Sequence, residues 1–93
     1  MFSVETTPRF DDELLTILDF IAEDSINSAL EFHDELIEKL HNIPDNPFMY
    51  RQRENMNESV RELIFKGYTI PLYIDEEKKT IFILGIFNQN LWE

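Results

Sequence analysis

The stretch "TPRFDDELLTILDFIAEDSINSALEFHDELIEKLHNIP", residues 7–44, decides the fold. Thr7 followed by Pro8 is a helix start. Threonine caps the first turn, proline at the first helical position gives up an N–H that has no partner there, and Asp11, Asp12 and Glu13 follow near the positive end of the dipole. Phe10, Leu14, Leu18 and Ile21, flanked by Leu15 and Ile17, recur at helical spacing and predict a first helix over about residues 8–23. Asp24 and Ser25 offer the next cap at once. A second stripe then runs through Ile26, Ala29, Leu30, His33, Leu36, Ile37, Leu40 and Ile43 until Pro44 stops it, which predicts a second helix over about 25–42. With almost no connection between them, the two helices must fold back as an antiparallel hairpin.

What surrounds this hairpin sets the class. Before it, Phe2, Val4 and Thr6 alternate with Ser3 and Glu5, the period of a half-buried strand. After it, residues 44–57 hold two prolines and three asparagines without a sustained period, and read as a loop. Three strands are expected next, over 59–66, 68–75 and 80–87. Lys66-Gly67 marks the first reversal and the polar residues 75–79 mark the second. Residues 81–87 are apolar throughout, which points to a strand covered on both faces and flanked by two others. Pro71 falls inside the middle strand, where a ladder hydrogen bond would be lost, so an edge or a bulge is expected there. The order predicts one α+β domain over residues 1–93: an N-terminal strand, an antiparallel helical hairpin and a three-stranded antiparallel meander, with the helices packed on one face of a four-stranded sheet.

Composition narrows the function. The 93 residues are 43% hydrophobic with eight Phe, enough for one small core. There is no cysteine, hence no disulfide and no thiolate zinc site. The first residues lack the basic leader of a signal peptide, and no apolar run is long enough to span a bilayer, so a cytoplasmic protein with no membrane partner is expected. The formal net charge is −11, which repels nucleic acid at long range and argues against direct DNA binding by this chain alone. The charge is uneven: ten acids face only Arg9 and Lys39 over residues 8–43, while six of the eight bases lie beyond.

Candidate chemistry is sparse. His33 sits in an apolar stripe and His41 in a last helical turn, where each has an ordinary structural role, and neither has a companion at metal-ligand spacing. No metal or cofactor is expected. Asp11, Asp12 and Glu13 point in three directions on a helix and read as a solvated N-terminus. There is no glycine-rich phosphate loop, nucleophile triad or dinucleotide fingerprint. The basic set Arg51, Arg53, Arg61 and Lys66 is the better candidate, since guanidinium groups gathered at a sheet edge bind phosphate or carboxylate. The competing reading is that these bases pair with the chain's own acids. Trp92, beyond the last strand, is the candidate contact for a partner.

The order of elements and the residues within them resemble the ParE/RelE superfamily of small toxins from bacterial type II toxin-antitoxin systems. The resemblance covers nearly the whole chain. It is carried by Ala29, Phe32, Leu36, Leu40 and Pro44 along the second helix, and by Arg61, Leu63, Gly67, Tyr68, Ile70 and Ile74 across the first two strands of the meander. It implies a growth inhibitor neutralised by a cognate antitoxin. Two activities occur in the superfamily: poisoning of DNA gyrase in the ParE branch and ribosome-dependent mRNA cleavage in the RelE branch. RNA-cleaving relatives place a histidine and an arginine around the end of the last strand. Here Asn88 stands at the histidine position and Asn90 near the arginine, and an amide exchanges no proton at neutral pH. Arg61 matches the family's second-strand arginine, Arg51 falls near its loop arginine, and Thr69 stands where a base is frequent. The expected member is therefore ParE-like and non-enzymatic, docking on a protein such as gyrase, with Asn88 and Asn90 as degenerate site positions. The alternatives are a RelE-like mRNA endonuclease and an inactive toxin that serves as an antitoxin-binding module.

Overall fold

The computed structural model describes residues 2–43, 46–53 and 57–88. Strand β1 (Ser3–Thr6) leads into helix α1 (Pro8–Asp24) and helix α2 (Ile26–His41). A short 3₁₀ turn (Pro47–Met49) then precedes β2 (Arg51–Gln52), β3 (Val60–Phe65), β4 (Tyr68–Asp75) and β5 (Thr80–Ile83). The described strands form one sheet in the order β1-β5-β4-β3-β2, with β1 parallel to β5 and the other pairs antiparallel.

The caps form as the sequence requires. Thr7 Oγ1 accepts the Phe10 N–H at 3.3 Å and donates to the Ile83 carbonyl at 2.8 Å, which ties the start of α1 to the end of β5. Ser25, in extended conformation, closes α1 through its N–H to Ile21 O and opens α2 by accepting the Ser28 N–H at 3.1 Å. One residue therefore serves both helices.

The sheet has five strands where four were expected. The extra strand is Arg51–Gln52, which lies in the segment read as loop and pairs Arg51 with Glu62 and Gln52 with Arg61. Two exposed polar residues carry no hydrophobic alternation, so nothing in their pattern marks a strand. As expected, β5 lies between β1 and β4. The helices cover one face: Phe10, Leu14, Phe32, Leu36 and Leu40 form a single core with Leu63, Ile70, Leu72, Ile81 and Ile83. Phe32 meets the rings of Phe65 and Tyr68 edge-on at 5.3 and 5.6 Å. Glu62, Ile64, Thr69, Tyr73 and Phe82 alternate onto the other face.

Pro71 lies in a central strand, fully buried, and the edge expectation fails. Its missing N–H does not fall on the β3 side, because alternation from the Ile74-to-Ser59 hydrogen bond places the β3 ladder at residues 70 and 72. It falls toward the extension of β5, and there the ladder breaks register. Leu84 N–H donates to Pro71 O at 2.9 Å, yet Phe87 pairs with Thr69 through bonds of 2.6 and 3.0 Å. Three steps along one strand face two along the other. The bulge is on the neighbour, where proline frees it from regular pairing.

The β3–β4 hairpin turns on Lys66 (φ 49°) and Gly67 (φ 85°), the two consecutive positive-φ residues of a type I′ turn. A Cβ on Gly67 would meet nothing within 4 Å, so only the backbone resists substitution. Gly67→Ala should cost about 1–2 kcal/mol in a urea melt. An unchanged midpoint would show that the turn readily adopts another conformation.

Candidate functional site

The four candidate bases do not converge. Arg51 and Arg53 lie on the face away from the helices and both meet Glu62. Arg53 reaches it at 2.8 Å with both side chains about nine-tenths buried, and the exposed Arg51 reaches it at 3.5 Å. The Arg53 guanidinium also lies 5.1 Å over the ring of Phe87. Arg61 projects to the opposite face, where it donates to the carbonyls of Glu58 (2.9 Å) and Tyr50 (3.3 Å) and covers the ring of Phe48 at 5.3 Å. Lys66, at the hairpin tip, pairs with Glu35 of α2, and both are half exposed. Three of the four therefore hold the chain's own carboxylates, and the fourth supports the 3₁₀ turn.

Glu62 is the residue that sequence reasoning missed. It occupies the place between two guanidiniums that an external phosphate or carboxylate would take. Its signal was present as two interleaved alternations, Arg51 and Arg53 against Val60, Glu62 and Ile64, but without β2 there was no register to join them.

Phe87 links this cluster to a groove of about 460 Å³ between α1 and the end of the sheet. From α1 come Glu13, Thr16, Ile17 and Phe20. From the sheet end come Tyr68, Ile86, Phe87 and the exposed Asn88. Glu13 anchors the two sides: one carboxylate oxygen accepts the Ile86 N–H at 3.1 Å and the other meets Arg9 at 3.5 Å. Phe20 is 69% exposed although aromatic. Asn88 thus stands at the lip of a real concavity. Asn90 and Trp92 lie outside the described residues.

Burial raises the Tyr50 hydroxyl above its ordinary 10, so it stays protonated at neutral pH and is no base. His33 is half exposed beside Asp34 at 3.3 Å, and His41 is exposed in the last turn of α2. Among the described residues no group of three His, Cys, Asp or Glu is placed to hold a metal ion. No helix among them is long and apolar enough to cross a membrane.

A family model described as the ParE toxin of the type II toxin-antitoxin system, parDE, matches residues 4–90. No curated protein matches the sequence. Among solved structures, the chain is similar to one from the chromosomal ParDE system of P. aeruginosa, with a TM-score of 0.73 and 21% identity over 92% of this chain and 94% of that one. It is also similar to a chain of the RelBE2 toxin-antitoxin complex of Mycobacterium tuberculosis, with a TM-score of 0.58 and 17% identity over 95% and 98% of the two chains. A chain of the intact E. coli RelBE toxin-antitoxin complex gives 0.58 and 12% over 97% and 99%. At these identities the likeness is one of fold.

Proposed function

The chain belongs to the ParE toxin family of type II toxin-antitoxin systems, and from that premise we propose that it arrests growth by docking on a protein target, DNA gyrase, rather than by cutting RNA. A cognate antitoxin neutralises it. The observation that carries this reading is the occupation of Arg51 and Arg53 by Glu62. In-line cleavage of RNA needs a base, an acid for the leaving oxygen and cations free to meet the phosphorane. Here the two arginines of the outer sheet face hold an internal anion, the residue at the lip is Asn88, and Tyr50 is held in its neutral form. The net charge of −11 adds a long-range barrier to any RNA approach.

Induced expression without the neighbouring gene product is expected to stop growth. The purified chain is expected to inhibit supercoiling by gyrase while leaving ribosome-bound mRNA intact. A cleavage ladder that vanishes with Arg61→Ala would replace this reading with the endonuclease, and normal growth on induction would replace it with an inactive antitoxin-binding module.

A further inference from the structure

The groove beside α1 has a lining whose chemistry selects its occupant. Ile17, Phe20, Tyr68 and Ile86 make it apolar, and Phe20 leaves most of its ring in water. An aromatic exposed to that degree beside a concavity is an anchor point without its cover. Among the described residues no Lys, Arg or His lines the groove. Arg9, which meets the lining residue Glu13, and Arg53, which lies over the ring of the lining residue Phe87, are engaged with Glu13 and Glu62. Along α1, six acids accompany the single base Arg9, and α2 adds four acids against Lys39 and His41 in its last turn. The field over this face is therefore negative, and it disfavours an acidic segment before any contact is made.

From this juxtaposition we infer that the groove receives an amphipathic segment of the antitoxin whose apolar side chains enter between Phe20 and Tyr68 and whose Lys or Arg residues face the acids of the helical hairpin. The inference rests on the reading of this chain as a toxin held by an antitoxin, and it assigns the chemistry of the antitoxin's contact: basic, to match an acidic toxin. Charge steers the encounter and excludes acidic competitors, while the apolar anchors set the residence time.

Two synthetic peptides test it. Both carry the same apolar residues at i, i+3, i+4 and i+7, one with Lys and the other with Glu at the remaining positions. Binding to the full chain is read by fluorescence anisotropy. The Lys peptide is expected to bind at least tenfold more tightly than the Glu peptide, and to weaken with salt. Phe20→Asp is expected to weaken the Lys peptide at least tenfold even though it adds an acid. Leu30→Asp, at an exposed position on α2, is expected not to weaken it. Equal binding of both peptides overturns the inference. So does Lys-peptide binding that Phe20→Asp leaves unchanged or tightens, because that would be attraction to the acids alone. A self-associated chain that Phe20→Asp dissociates in sedimentation overturns it in favour of a second copy. Growth arrest is scored separately. A toxic chain that ignores the Lys peptide loses the groove and keeps the toxin reading, whereas a harmless chain that binds it through Phe20 keeps the groove and loses the toxin reading.

Discussion

Glu62→Ala is expected to destabilise the folded chain by about 3 kcal/mol, the scale for removing one partner of a buried ion pair. The cost is less the lost attraction than the guanidinium left behind. The Arg53 side chain is 11% exposed and its contact with Glu62 is 2.8 Å, so the substitution takes a close carboxylate away from a largely dehydrated charge. A chain of this size has a total stability of about 5–14 kcal/mol, so the variant should melt at least about 10 °C lower. Glu62→Gln keeps one acceptor and should lose less. Glu35→Ala is the matched control, because its pair with Lys66 is half exposed and should change stability by no more than about 0.5 kcal/mol. A loss below about 1 kcal/mol for Glu62→Ala in denaturant melts would show that the Arg53 guanidinium is rehydrated at little cost and that Glu62 is dispensable to the sheet.

Leu36→Ala is expected to cost about 2–5 kcal/mol. Leu36 has no exposed surface, and it sits at the middle of the α2 stripe within the core that the helices share with β3, β4 and β5. Removing three carbons there leaves a cavity that two helices and a sheet would have to move to close. Leu15→Ala, at a position 58% exposed on α1, should stay within about 0.5 kcal/mol. A Leu36→Ala loss below about 1 kcal/mol would mean that the stripe does not seat α2 on the sheet.

The helical hairpin was legible because its boundaries are chemical. Thr7-Pro8 and Ser25 are caps by residue type, and the helices end within a residue or so of where the spacing places them. The meander was legible for a similar reason: Lys66-Gly67 and the charged residues 76–79 leave no other reversals. The fate of the arginines was not. It depends on register between strands, and the strand that sets it is two polar residues long. Arg61 follows Val60 and precedes Glu62, yet the pleat sends it to the helix side, toward Tyr50 O, away from the Glu62 that binds Arg51 and Arg53. The groove was equally hidden. Phe20 lies off the core stripe of α1, and its significance appears only when the end of the sheet is brought beside it.

The pairing of β1 with β5 has a consequence in time. Ser3 finds its partner in Thr80, and Thr7 at the head of α1 bonds to Ile83 O, so the earliest-made strand completes no pairing until nearly the last one has emerged. The helical hairpin is local and can form early, but the sheet that seats it closes through the longest loop in the chain, a slow and late step. During synthesis the protein is thus an unfinished sheet with an unpaired β4 edge. The groove beside α1 is built from residues on both sides of that closure, so its walls meet only after β5 and the residues that follow it have been made.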